Sequence, residues 1–147
     1  MQEFRILWFE DNLKDFDDVI AAIQSHLNIH TRKLQIEHYE YYPEDFDVKL
    51  FEPQYCLLLV DLNLKNEQKG VNIIKTLQEK GVYIDTLLYS NNPKELILLT
   101  EGKNYINGIH RHATLGSIDE KINSLIDINL YKEYMAYERA RLFELKD

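Results

Sequence analysis

The chain has 147 residues, enough for one compact domain with a single sizeable core. With 45% hydrophobic and 29% charged residues, three prolines and five glycines, it has a globular balance without long linkers. The formal net charge of −8 argues against phosphate-backbone binding as the main task, because nucleic-acid affinity rests on clustered Lys and Arg. The single cysteine, Cys56, excludes an intrachain disulfide, and inside the apolar run Tyr55 to Val60 it reads as a small buried hydrophobe. Met1-Gln2-Glu3 lacks the basic start of a secretory signal, and no apolar stretch approaches the length of a membrane span. A cytoplasmic protein that touches neither membrane nor nucleic acid is the expectation.

Short apolar runs alternate with helical patterns along the chain. Ile6-Leu7-Trp8-Phe9 reads as a first strand, closed by Glu10-Asp11-Asn12. Asn12 is placed to cap a helix whose buried face carries Phe16, Val19, Ile20, Ile23 and Leu27. Leu34 to Tyr42 alternates apolar and polar residues, the pattern of an outer, half-exposed strand. Pro43-Glu44-Asp45 then predicts a short helix. Cys56-Leu57-Leu58-Leu59-Val60 is continuously apolar, as in a parallel strand covered on both faces.

Gly70 and Gly81 bracket a helix carrying Val71, Ile74 and Leu77, with Gly81 at the C-terminal cap. Thr86-Leu87-Leu88-Tyr89 predicts another buried strand. Asn92-Pro93-Lys94-Glu95 combines a cap, a first-turn proline and an acid at the third helical position. Gly102 is expected to end that helix, and Tyr105 to Ile109 to form the fifth strand, despite Asn107-Gly108. Ser117-Ile118-Asp119-Glu120 is a capping box that opens a long amphipathic helix. Strands and helices alternating at this pace imply a parallel sheet with helices on both faces and right-handed crossovers.

In such a sheet, ligands bind beyond the carboxyl ends of the strands. Glu10 and Asp11 fall there after the first strand, and Asp61 after the third. Ser90 adds a hydroxyl at the end of the fourth strand. Arg111, read as lying just after the fifth, adds a permanent charge suited to a phosphoryl oxygen. Three converging carboxylates repel one another unless protons or a cation intervene, and an oxygen donor set of this kind suits Mg²⁺. The constellation is that of a phosphoryl-transfer site with a carboxylate nucleophile.

Over residues 4–128 the chain resembles a response-regulator receiver domain. The resemblance is carried by Phe9-Glu10-Asp11-Asn12, by Leu57-Leu58-Leu59-Val60-Asp61 and by Tyr89-Ser90-Asn91. It implies a flavodoxin-like (βα)5 fold with a five-stranded parallel sheet in the order 2-1-3-4-5. It also implies that Asp61 accepts a phosphoryl group from a histidine kinase or phosphotransfer protein in two-component signalling. Mg²⁺ would be held by Glu10, Asp11, Asp61 and the carbonyl of Asn63, with Ser90 moving to meet the phosphoryl group. Such a domain is a phosphoacceptor rather than a turnover enzyme.

The chain departs from the family pattern at several positions. Arg111-His112 stands where the family has Lys-Pro, Lys65 stands where proline is common, and Gly70 comes one residue late. Asn91 replaces a small residue, and Gly108 falls at the aromatic switch position. These departures favour an alternative in which a receiver-like scaffold binds partners without phosphate. A haloacid-dehalogenase-type phosphatase needs an aspartate two residues after its nucleophile, and Glu10-Asp11-Asn12-Leu13 does not supply it.

Other features carry less chemistry. His26, His30, His38, His110 and His112 offer no pair that combines metal-ligand spacing with a third ligand, and read as surface or loop residues. Tyr39, Tyr41 and Tyr42, and Tyr131, Tyr134 and Tyr137, fit either a partner surface or the chain's own core. Residues 129–147 form a helical extension beyond the receiver-like part. From Tyr131 onward it carries four basic and four acidic residues, and its apolar stripe is expected to meet a second copy or an effector.

Overall fold

The apolar runs become strands of a parallel sheet, with limits that differ from those the sequence suggests. The computed structural model describes residues 2–47, 56–100, 110–114, 116 and 118–146. β1 (Gln2–Phe9), β2 (Arg32–Tyr39), β3 (Leu57–Asp61) and β4 (Asp85–Ser90) lie in the order β2-β1-β3-β4, all parallel. Beside β4 runs β5 (His110–Thr114), pairing Thr86 with His110 and Ser90 with Thr114. The helices are α1 (Asp17–Ile29), α2 (Gly70–Glu79), α3 (Pro93–Thr100) and α4 (Ile118–Lys146).

Because side chains alternate along a strand, each strand feeds two cores. Ile6, Trp8, Leu57, Leu59, Leu87 and Tyr89 meet Phe16, Ile23 and Leu27 near and along α1, and Ile122 and Ile126 of α4. On the opposite face Leu7, Phe9, Leu58, Val60 and Leu88 meet Val71, Ile74 and Leu77 of α2 and Leu96 of α3. The central strands are therefore covered on both faces, which explains their unbroken apolar sequence.

The C-terminal end of α2 follows its glycine. Gly81 takes φ +89°, its N–H reaches the Gln78 carbonyl at 3.0 Å, and the Val82 N–H reaches the Leu77 carbonyl at 2.9 Å. Asn92 caps α3, its Oδ1 accepting the Glu95 N–H at 3.1 Å. α4 begins at Ile118, where the capping box predicts; Ser117 itself lies outside the described residues.

Several local expectations are corrected. β1 starts four residues before Ile6, and β2 spans Arg32–Tyr39 rather than Leu34 to Tyr42. Asn12 does not cap α1: its amide donates to Asp15 Oδ2 at 2.8 Å, and a 3-10 turn over Leu13–Phe16 intervenes. The short polar side chain has two competing partners here, and the aspartate wins over the backbone. In place of a helix at Pro43 the described residues make a turn closed by Phe46 N–H to the Pro43 carbonyl at 3.2 Å.

The fifth strand lies at His110–Thr114; the expected span Tyr105 to Ile109 and the helix end at Gly102 fall outside the described residues. Cys56 is only partly buried, at the edge of the core, and desolvation still pushes its thiol pKa up.

Tyr39 and Tyr42 pack with Phe9 and Phe46 in one aromatic cluster, while Tyr131, Tyr134 and Tyr137 are 58–66% exposed. Buried positions of α4 end at Ile126, although Asn129, Lys132 and Glu133 still bond Asp85 and Arg32. Among the described residues no helix is long and apolar enough to cross a membrane.

Candidate functional site

β1 ends at Phe9, so the next two residues, Glu10 and Asp11, leave the sheet at its carboxyl edge. Asp61 is the last residue of β3, in register with Tyr89 of β4. The topology thus brings Glu10, Asp11 and Asp61 together, each offering a carboxylate oxygen within 4.8 Å of the others. With Asn63 and Asn91 they line a cleft of about 480 Å³, floored on one side by Phe16 and Ile118.

Glu10 is the most buried of the three, at 3% exposure. Its Oε1 accepts the Tyr89 hydroxyl at 2.7 Å, and that hydroxyl accepts the Trp8 indole N–H at 2.8 Å. Oε2 accepts the Asn12 backbone N–H at 2.8 Å. Despite these donors, desolvation and then the neighbouring Asp11 carboxyl push the Glu10 pKa up to about 8. The Asp61 pKa is also raised, by burial first and by the Asp11 charge, although the Asn63 N–H holds its Oδ1 at 3.2 Å and pulls the other way. Burial and like charge together disfavour a fully ionised cluster.

A close approach at Gly70 fixes the wall behind Asp61. A Cβ at Gly70 would stand 2.4 Å from the Asp61 carbonyl oxygen and 2.8 Å from Val60 Cγ1. Only glycine lets the start of α2 lie against the end of β3, where the Gly70 N–H bonds the Leu62 carbonyl at 2.8 Å. The loop between them places Asn66 at φ 61° and Glu67 at φ 58°, two non-glycine residues in the left-handed region.

Ser90 is buried at the end of β4, and its Oγ accepts the Asn92 N–H at 3.0 Å. The expected place of Arg111 is corrected. It lies inside β5, in register with Leu87 and three residues short of Thr114, rather than after the strand. At about 3.3 Å per residue its backbone stands roughly 10 Å behind the carboxyl edge. The described strand runs through His110–Thr114, a segment without a continuous apolar run.

The sequence reading missed three residues. Tyr89 supplies the buried donor to Glu10. His38 Nε2 lies 2.5 Å from the Glu10 carbonyl oxygen and ties β2 to the acidic turn. Lys69 contacts Asn63 Oδ1 and Glu95 Oε1, the latter at 3.1 Å, bringing a cation to the rim. Only Tyr89 left a trace in sequence, as an aromatic with a polar handle beside Ser90.

No family model matches the sequence, and no curated protein is similar to it. Solved structures do resemble it. A response regulator receiver domain protein from Clostridium thermocellum superposes with a TM-score of 0.56 at 9% identity, covering 90% of this chain and 98% of that one. The Francisella response regulator 1452 receiver domain gives a TM-score of 0.52 at 17% identity, covering 87% and 98%. The fold is that of a receiver domain.

The anti-anti-sigma factor PhyR from Bartonella quintana gives a TM-score of 0.56 at 14% identity, over 95% of this chain and 52% of that one. At these identities the likeness is one of fold, and the roles of individual residues rest on the geometry of this receiver fold.

The cleft fits a hard divalent cation. Its three converging donors are carboxylate oxygens, and Glu10 holds a proton near neutral pH that a cation would replace.

Proposed function

We propose that this chain is a five-stranded receiver domain that accepts a phosphoryl group on Asp61 in two-component signalling. One observation carries the reading: Glu10, Asp11 and Asp61 converge within 4.8 Å at the carboxyl edge of a receiver sheet. Glu10, Asp11, Asp61 and the Asn63 carbonyl would hold Mg²⁺, which supplies positive charge against the incoming phosphoryl oxygens. Asp61 is the nucleophile: its carboxylate oxygen bonds phosphorus as the phosphohistidine N–P bond breaks and the imidazole leaves. The Asn63 N–H orients that carboxylate through Oδ1. The chain acts as a phosphoacceptor, so it is no turnover enzyme.

In this reading Ser90 breaks its bond to the Asn92 N–H to meet the phosphoryl group. Arg111, with its backbone within β5, is the cation read as facing the phosphoryl oxygens. The partners are a histidine kinase or phosphotransfer protein, met in the cytoplasm. The exposed face of α4, with Tyr131, Tyr134, Tyr137 and Phe143, serves as the output surface toward a second copy or an effector.

A second reading, a receiver scaffold that signals without phosphate, is favoured by the Ser90 bond and by Lys69, which Asn63 and Glu95 already engage. Mass spectrometry after incubation with Mg²⁺ and a small phosphodonor separates the two. One added phosphoryl group, absent in Asp61→Asn, supports the first; no adduct, with partner binding unaffected by Asp61→Asn, supports the second.

A further inference from the structure

A second cluster of metal-ligand side chains lies at the other end of the domain. His26 and His30 are four residues apart at the end of α1 and so share one face of that helix. Their rings approach edge to face with centroids 5.4 Å apart. Asp127 of α4 reaches between them: its Oδ1 is 2.7 Å from His26 Nε2 and 3.5 Å from His30 Nε2. One oxygen and two ring nitrogens, all within 4.8 Å, thus come from two helices.

The helices themselves are fixed. Ile23 and Leu27 of α1 and Ile122 and Ile126 of α4 belong to one buried core, so the three ligands stand on packed elements at its rim. α1 returns against the strand direction, which puts its C-terminal end at the edge opposite Asp61. The cluster is therefore separate from the carboxylate cleft and owes nothing to phosphoryl chemistry.

We propose that His26, His30 and Asp127 bind a divalent transition-metal ion of the Zn²⁺ class. The donor chemistry selects the class, because two imidazoles with one carboxylate suit Zn²⁺ and its neighbours, whereas Mg²⁺ prefers oxygen alone. Ligand bonds of about 2.0–2.2 Å at tetrahedral angles set donors roughly 3.4 Å apart. The His30–Asp127 separation of 3.5 Å already matches. The His26–Asp127 hydrogen bond of 2.7 Å opens by roughly 0.7 Å as its proton gives way to the ion. The fourth position goes to water. The ion ties the root of α4 to α1 just before the helix leaves the core, steadying the exposed stretch beyond it.

The test is a Zn²⁺ titration of the full chain against a chromophoric chelator, with excess Mg²⁺ present to occupy the carboxylate cleft. The expected result is one Zn²⁺ per chain with Kd on the order of micromolar. His30→Ala and Asp127→Ala should each weaken it ~10-fold or more, and Asp61→Asn should leave it unchanged. His26 is more enclosed than His30, so circular dichroism checks each variant, and the exposed His30→Ala decides if His26→Ala misfolds. Binding in folded His30→Ala within twofold of the parent, loss of binding in Asp61→Asn instead, or no stoichiometric binding at all would each overturn the proposal.

Discussion

The Tyr89 hydroxyl donates to Glu10 Oε1 across 2.7 Å while accepting the Trp8 indole N–H at 2.8 Å, joining the end of β4 to the end of β1 beneath the acidic cleft. Both bonds are buried, so neither partner has water to fall back on. Tyr89→Phe removes the acceptor for Trp8 and the donor to Glu10 together. It should cost ~1–3 kcal/mol, read by urea unfolding. Because the Tyr89 bond pulls the Glu10 pKa down, the same change should push it further up and weaken Mg²⁺ binding near neutral pH.

Glu10 also makes the protein pH-dependent. Between its ordinary value of 4.5 and its raised value of about 8, the native protein holds one proton more than the unfolded chain. Metal-free stability should therefore fall as pH rises across that window, because the unfolded state binds fewer protons there. Magnesium and the proton compete for the same carboxylate. Mg²⁺ affinity should climb with pH, by up to ~10-fold per unit below pH 8, and then level off. Titrations followed by the fluorescence of Trp8, the single tryptophan, provide the measurement. A flat affinity between pH 6 and pH 8 would contradict the assignment.

Gly70→Ala places a methyl group 2.4 Å from the Asp61 carbonyl oxygen, a backbone atom that has no rotamer to move into. Either α2 or the end of β3 must shift. A loss of ~1–3 kcal/mol is expected, with weaker Mg²⁺ binding because Asp61 moves with its backbone. Unchanged stability would mean that the two segments pack more loosely than described.

Thr31 sits at φ 55° in the turn between α1 and β2, a conformation costly for a β-branched residue. Thr31→Gly should stabilise the protein by roughly 0.5–1 kcal/mol, measured as a raised melting temperature. No residue of the carboxylate cleft is touched, so Mg²⁺ affinity should stay as it is.

Removing residues 134–147 should leave the fold within ~0.5 kcal/mol of the parent. The buried positions of α4 end at Ile126, Leu130 still packs against the core, and both Leu130 and the Arg32–Glu133 bond at 3.0 Å are retained. If the exposed tyrosines and Phe143 form the output surface, sedimentation of the truncated chain should show weaker self-association or lost partner binding.

Elements with unambiguous patterns were legible in the sequence. Leu57 to Val60, Asn92 with Pro93, and Gly81 each declare a strand, a helix start and a helix end by mechanisms that neighbours do not override. Asn12 failed because a nearby aspartate competes for its amide, which no periodicity reveals. Arg111 was misplaced because β5 pairs through His110–Thr114, a segment without a continuous apolar run. The carboxylate triad was readable, since strand ends determine where acids gather. The His26–His30–Asp127 cluster was not, because its third member lies 97 residues from His30 and meets it only through helix packing.

The central claim is that Asp61 accepts a phosphoryl group beside a divalent cation. Titration of the full chain with beryllofluoride and Mg²⁺, followed by Trp8 fluorescence, tests it most directly. The account predicts a saturable Mg²⁺-dependent change that disappears in Asp61→Asn. No change at millimolar Mg²⁺, or an equal change in Asp61→Asn, would contradict it.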